Sequence, residues 1–212
     1  MNIMQRIQAT YAQTRGTLEK WLQYPRYLQQ EYGVNPVLAG GCIRDLLLGQ
    51  EPKDLDLFIS MSEWRWARDS DTIQEIFDVI AHREGWALDG EEHVAPIPAS
   101  LVSVYHHKER DLEYPYQIAV LREDTPAAEL IGQFDFGINM VGVNTYGALA
   151  LTEYFVYDAE HHTITIRNER SRETTLARYE RLSKKYPGPL MTAEGLELEK
   201  PLGGLVLPEN MK

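Results

Sequence analysis

The chain has 212 residues, 43% hydrophobic, 10% aromatic and 25% charged, the profile of a globular protein with enough apolar material for one sizeable core. Asp and Glu total 32 against 21 Lys and Arg, and the formal net charge of -11 argues against a broad grip on long nucleic acid, which cations neutralising phosphates would drive. No apolar run approaches the roughly 18 to 20 residues that span a bilayer, the first residues lack a secretion signal's apolar stretch, and the single Cys42 precludes an internal disulfide, so no membrane partner and a cytoplasmic location are expected.

Residues 3–30 carry amphipathic, helix-favouring sequence, and the interruption at Arg15-Gly16 predicts two helices, with Tyr24-Pro25 setting off a last short piece. Pro36 to Ala39 is a short apolar strand that Gly40-Gly41 ends, and Ile43 to Leu48 continues as a helix closed by Gly49. Polar and apolar residues alternate from Asp54 to Ile59, as in a half-buried strand with both aspartates on one face. Ile73, Ile76, Phe77 and Ile80 form a helical stripe from Asp71 to about Trp86. Strands are expected at Leu101–Tyr105 and Tyr116–Leu121, joined by a polar hairpin tip, and a helix starts at Thr125-Pro126. Phe136 to Val143 and the segments around Leu149 and Ile164 are further strands, Ser171 to Lys185 is a basic helix, and the Pro-, Gly- and Leu-rich remainder is expected to be irregular. His106-His107 and His161-His162 are adjacent pairs, and neighbours on a strand point to opposite faces, so neither makes a two-ligand claw for a metal.

Chemistry concentrates in Leu38 to Leu57. Two glycines after a strand let the backbone approach a ligand closely, and the next helix aims its first N–H groups at an anion such as a triphosphate. Asp54 and Asp56 then emerge together at about 6.5 to 7 Å between α-carbons, a spacing suited to hard divalent cations such as magnesium. Alone, the glycine pair is an ordinary turn and the D-x-D an ordinary solvated face. Within about twenty residues, glycine turn, Arg44-Asp45 helix, Leu-Leu-Gly stop and D-x-D together resemble the G-G-x-V-R-D-x-L-L-G-x-x-x-x-D-x-D signature of the nucleotidyltransferase superfamily, specifically the head domain of tRNA CCA-adding enzymes and bacterial poly(A) polymerases. Gln117 to Arg122 is similar to the family's E-V-A-T-x-R strand, with glutamine where an acid is expected, and Gln133 to Met140 keeps the D-F-x-I-N core of R-R-D-F-T-I-N-A without its arginines. Arg178 and Arg181, three apart on one helical face, faintly resemble the family's E-D-P-L-R-M-L-R helix; a solvated basic face is the plain alternative.

The resemblance implies an α+β nucleotidyltransferase fold, a mixed sheet packed with helices in residues 33–168; it gives no account of the N-terminal helices in 1–32, which the sequence pattern alone predicts, and a C-terminal helix and irregular tail are expected in 169–212. It implies transfer of a nucleoside monophosphate from a nucleoside triphosphate to an acceptor hydroxyl, with release of pyrophosphate. Asp54 and Asp56 are the expected catalytic pair and Mg2+ ligands in a two-metal arrangement. Gly40, Gly41, Arg44, Asp45, Lys53, Asp135, Asn139 and Arg178 are the expected nucleotide-binding residues. Of these, Asp45 is also read as a brace for Arg44 or its loop, and Asp135 and Asn139 as braces for the catalytic strand, with Phe136 and Ile138 as strand core and Asn139 ending a turn as the plain alternative. Gln117 leaves the third carboxylate of such sites unfilled, with Asp111, Glu113 or Asp135 as substitutes. The acceptor is an RNA 3′ end such as a tRNA terminus, met by a local basic patch of Arg44, Arg122, Arg178 and Arg181, or else a small molecule or protein. A non-catalytic nucleotide-binding module is the reading from another class. Only some seventy residues follow Asp135, too few for the long helical body with which CCA-adding enzymes hold tRNA, and a minimal stand-alone relative is expected.

Overall fold

The computed structural model describes residues 2–61, 70–88, 101–109, 112–122, 125–168, 171–192 and 205–207. The chain opens with α1 (Ile3–Gln13), whose first turn is closed by reciprocal bonds between Asn2 and Gln5, and α2 (Arg15–Tyr32), which ends on the left-handed Gly33. The break expected near Pro25 does not occur. A proline inside a helix strands the carbonyl four residues earlier, and here that carbonyl, on Trp21, accepts the buried Tyr116 hydroxyl at 2.6 Å, so the helix runs through.

Next come β1 (Val34–Ala39), α3 (Gly41–Leu47), β2 (Leu55–Met61), α4 (Ser70–Glu84), β3 (Ala87–Leu88), β4 (Leu101–His107), β5 (Tyr116–Leu121) and α5 (Ala127–Gly132). Beyond them lie β6 (Val141–Asn144), β7 (Leu149–Leu151), α6 (Glu153–His161), β8 (Ile164–Ile166), α7 (Arg172–Lys185), β9 (Leu190–Thr192) and β10 (Leu205–Leu207). Among the described residues, eight strands form one mixed sheet in the order β10-β7-β6-β1-β2-β5-β4-β3, and β8 pairs with β9 in a separate parallel ribbon. Among its pairings between described residues, β2 with β5 alone is parallel, bringing Asp56 opposite Gln117.

Alternation along β2 sends Leu55, Leu57 and Ile59 into the main core with Trp21, Leu22 and Leu28 of α2 and Phe77 and Ile80 of α4. On the opposite face, Phe58 packs with Phe134, Leu130 and Ile131 around α5 in a second, smaller core. That cover stops short of Asp56, and the uncovered end of the face is where the site lies.

Two further expectations are corrected, and one helix is added. Phe136 to Val143 is not one strand: a 3-10 turn at Gly137–Asn139 precedes β6. α6 packs onto that turn so closely that a β-carbon on Gly137 would lie 2.7 Å from Asp158 Oδ2 and 2.9 Å from Tyr154 Cβ. α6 itself has no counterpart in the sequence expectations, because Tyr154, Phe155, Val156 and Tyr157 look strand-forming. Its buried Phe155, Asp158 and Ala159 nonetheless follow helical spacing, and the Thr152 side chain caps it. The tail expected to be irregular contributes β9 and β10. Among the described residues, no helix is long and apolar enough to cross a membrane.

Candidate functional site

β1 leaves the sheet at Gly40, whose φ of 77° and ψ of -129° suit glycine, and whose N–H donates to the Val141 carbonyl at 2.8 Å. A β-carbon on Gly41 would lie 3.4 Å from Asp56 Oδ2 and 3.6 Å from Arg44 Nη2, so the turn sits directly against the carboxylate. Asp54 precedes β2 and Asp56 is its second residue, which puts both on the uncovered face.

Above them is a cleft of about 340 Å3, walled by the turn, the 3-10 segment and α7. It brings together Gly41, Arg44, Lys53, Asp54, Asp56, Asn139 and Arg178 of the nucleotide-site residues expected from sequence, with Arg181 of the expected basic patch, and adds Lys185. Gly40, Asp45 and Asp135 do not line it. Asp45, 3% exposed, stands behind Arg44: its carboxylate accepts Arg44 Nε at 2.7 Å, the Tyr186 hydroxyl at 2.8 Å and Lys185 Nζ at 2.5 Å. Arg44 donates a further bond to Asn139 Oδ1 and lies 4.8 Å from the Tyr186 ring centre. Asp135 holds Arg178 Nε at 2.6 Å and takes its neighbour Phe136's N–H at 2.9 Å. Burial pulls the Arg178 guanidinium down from its ordinary value, and Asp135 opposes that pull. Lys53 and Arg181 are the exposed members, and Lys53 lies 3.8 Å from Asp54 Oδ2. Lys185 and Tyr186 were not anticipated: the end of a basic helix reads as a solvated face, and only the fold returns it to Asp45.

Burial first, and then the charge of Asp54, push the Asp56 carboxyl up to about 7, against the opposing pull of Arg44, Arg178 and the Gly41 N–H. Two carboxylates in mutual repulsion beside this cleft fit a hard divalent cation, which would be held by Asp54 and Asp56. The side chain beside Asp56 on the next strand is the neutral Gln117. Among the described residues no three His, Cys, Asp or Glu side chains gather as a metal-binding group. Of the sequence substitutes for a third carboxylate, Asp111 lies outside the described residues, Asp135 is engaged by Arg178, and Glu113 is exposed and not on the cleft wall.

The raised carboxyl makes stability pH-dependent. Because Asp56 binds its proton more tightly folded than unfolded, its favourable contribution is complete below about pH 4 and is lost as pH rises through about 7. Urea unfolding of the metal-free protein should therefore show the wild type losing stability relative to Asp56→Asn between pH 4 and 8. Magnesium, binding the charged form, should erase the difference at pH 8; parallel curves at every pH would show that Asp56 titrates normally.

The arrangement of sheet and helices around this cleft is a nucleotidyltransferase-like fold. The solved structure of a Thermotoga maritima CCA-adding enzyme complexed with tRNA superposes with a TM-score of 0.56 at 15% identity, covering 92% of this chain and 43% of that one. A tRNA-processing enzyme in apo form superposes at 0.54 with 20% identity, covering 82% of this chain and 44% of that one, and a CCA-adding enzyme in complex with ATP at 0.53 with 15% identity, covering 82% and 39%. The chain thus spans less than half the length of these structures. A family described as Gad2, Gabija anti-defense 2 family protein, matches residues 12–162, and the chain belongs to that family. No curated protein sequence matches it.

Proposed function

We propose that the protein is a magnesium-dependent nucleotidyltransferase that moves a nucleoside monophosphate from a nucleoside triphosphate to an acceptor hydroxyl and releases pyrophosphate. The observation that carries this reading is the paired Asp54 and Asp56 under a wall of Arg44, Arg178, Arg181 and Lys185 in a chain of net charge -11. Magnesium held by Asp54 and Asp56 supplies neutralisation of the charge that builds on the triphosphate during transfer. Gly41 brings backbone close to the phosphates, and Arg44, held by Asp45 and Asn139, presents its remaining donor edge to phosphate oxygens. Arg178, aligned by Asp135, faces the same cleft from α7.

The family's description gives this activity a setting in antagonism of a defence system. For the acceptor, a protein or small-molecule hydroxyl is favoured over an RNA end by the sheet's geometry. Arg122 follows the last residue of β5 while Gln117 lies at its cleft end, about 16 Å away at strand rise, so the basic path from Arg44 to Arg122 does not form. The likeness to a tRNA-bound enzyme supports the RNA reading.

Incubation with each α-labelled nucleoside triphosphate, magnesium, and either total tRNA or cell extract tests the proposal. Label in protein or a small product supports the favoured acceptor, and label in tRNA the other. Nucleotide binding without pyrophosphate release under every condition would leave a non-catalytic binding module.

A further inference from the structure

We infer that the site uses a single divalent cation, bound with the triphosphate, and that the His106 imidazole takes the proton from the acceptor hydroxyl. The inference rests on the nucleotidyl-transfer reading above and assigns the step that reading leaves without an agent.

Asp56 of β2, Gln117 of β5 and His106 of β4 are successive register partners across the sheet. Register partners share a face, so the three side chains stand in a row on the cleft side, with His106 about 10 Å from Asp56 at ordinary strand spacing. The other histidine of the pair faces away: His107 stacks on Tyr24 at 4.7 Å and meets Glu109 at 3.2 Å. The adjacent pair therefore divides between the core side and the site side, and the site-side member is exposed.

Gln117 occupies the place beside Asp56 from which a carboxylate could help hold a second cation. A neutral amide offers an oxygen but no charge to offset the repulsion between two divalent ions a few ångströms apart. With one ion committed to the triphosphate, the acceptor hydroxyl needs another proton acceptor on its own side of the cleft. An acceptor approaching over Gln117 comes within reach of His106, and imidazole is the side chain suited to proton transfer near neutrality. In the step, the acceptor oxygen bonds to the α-phosphorus as its proton passes to the imidazole nitrogen. The bond from that phosphorus to the bridging oxygen breaks, pyrophosphate leaves with the electron pair, and the imidazolium returns its proton to water.

Manganese serves as the probe for ion count. Titration in the presence of an unreactive triphosphate analogue, followed by electron paramagnetic resonance, should show one ion per wild-type chain and two per Gln117→Glu chain; two in the wild type would overturn the inference. His106→Gly should bind manganese and analogue like wild type while transfer falls on the order of a hundredfold or more, with partial recovery on adding imidazole. His106→Gln, which keeps the side chain's bulk on the strand, should show the same loss if the glycine variant is unstable. Adding Gln117→Glu to either variant should restore transfer without imidazole. Undiminished transfer in both His106 variants, or a loss that neither imidazole nor Gln117→Glu repairs, overturns the role of His106 and leaves the nucleotidyl-transfer reading standing. A wild-type protein that binds ion and nucleotide but modifies no acceptor overturns both.

Discussion

Asp56→Asn should lower nucleotidyl transfer on the order of a thousandfold, the loss expected when a principal electrostatic stabiliser of a transition state is removed. The exchange keeps the shape of the side chain and its contact with the Gly41 N–H, so the turn at Gly40-Gly41 has no reason to move. It removes the charge that repels Asp54, and the metal-free variant should be no less stable than wild type at pH 8. That combination separates lost chemistry from lost folding: rate measured with labelled triphosphate falls, while the urea midpoint stays or rises. Asp54→Asn should act in the same direction. An Asp56→Asn protein that transfers label at the wild-type rate would remove Asp56 from the reaction.

Asp45→Ala should be the most destabilising single change near the site, by about 3 to 5 kcal/mol, the range for breaking a buried ion pair from one side. Arg44 is 8% exposed and would lose its carboxylate while keeping its charge. Lys185 and the Tyr186 hydroxyl would lose the same acceptor, and α7 would lose its tie to α3. The Lys185 side chain is 32% exposed, so water can replace part of its share, which places the expectation at the lower end of the range. Asp45→Asn, which keeps an oxygen for Arg44, should cost distinctly less. Chemical denaturation of the three proteins checks the order, and equal stability of wild type and Asp45→Ala would mean that Arg44 finds solvent or another partner. Transfer should fall with Asp45→Ala even where the protein remains folded, because Arg44 loses the bond that fixes its guanidinium plane.

The centre of the site was legible because it is local. Glycine turn, Arg44-Asp45 helix and D-x-D lie within about twenty residues, and the conformations they require, positive φ at Gly40 and period-two alternation at Asp54 and Asp56, are written in residue type. Arg44 as the phosphate-facing cation and Asp45 as its brace could be read from residue type, but only packing shows that Asp45 also ties Lys185 and Tyr186 behind the cleft wall. Lys185 and Tyr186 were invisible as site residues because they lie some 140 positions from Asp45 and sit where a basic helix normally meets water. Pro25 was misleading because its remedy, the Tyr116 hydroxyl, lies more than ninety residues away. α6 was missed because aromatic and β-branched residues in its first turns carry strand propensity, which burial of Phe155 and Ala159 overrides.

The parallel union of β2 with β5 carries a consequence for how the protein comes to be folded. Asp56 and Gln117 are neighbours only after a loop of about sixty residues closes, and β1 meets β6 only across about one hundred. Chains dominated by such distant pairings fold on the millisecond-to-second scale rather than in microseconds. On the ribosome, the glycine bend and the two aspartates emerge well before the strands that flank them, so the nascent N-terminal half exposes unpaired edges and has no assembled cleft. The complete cleft then arrives late and all at once, when the returning strands zip the sheet shut.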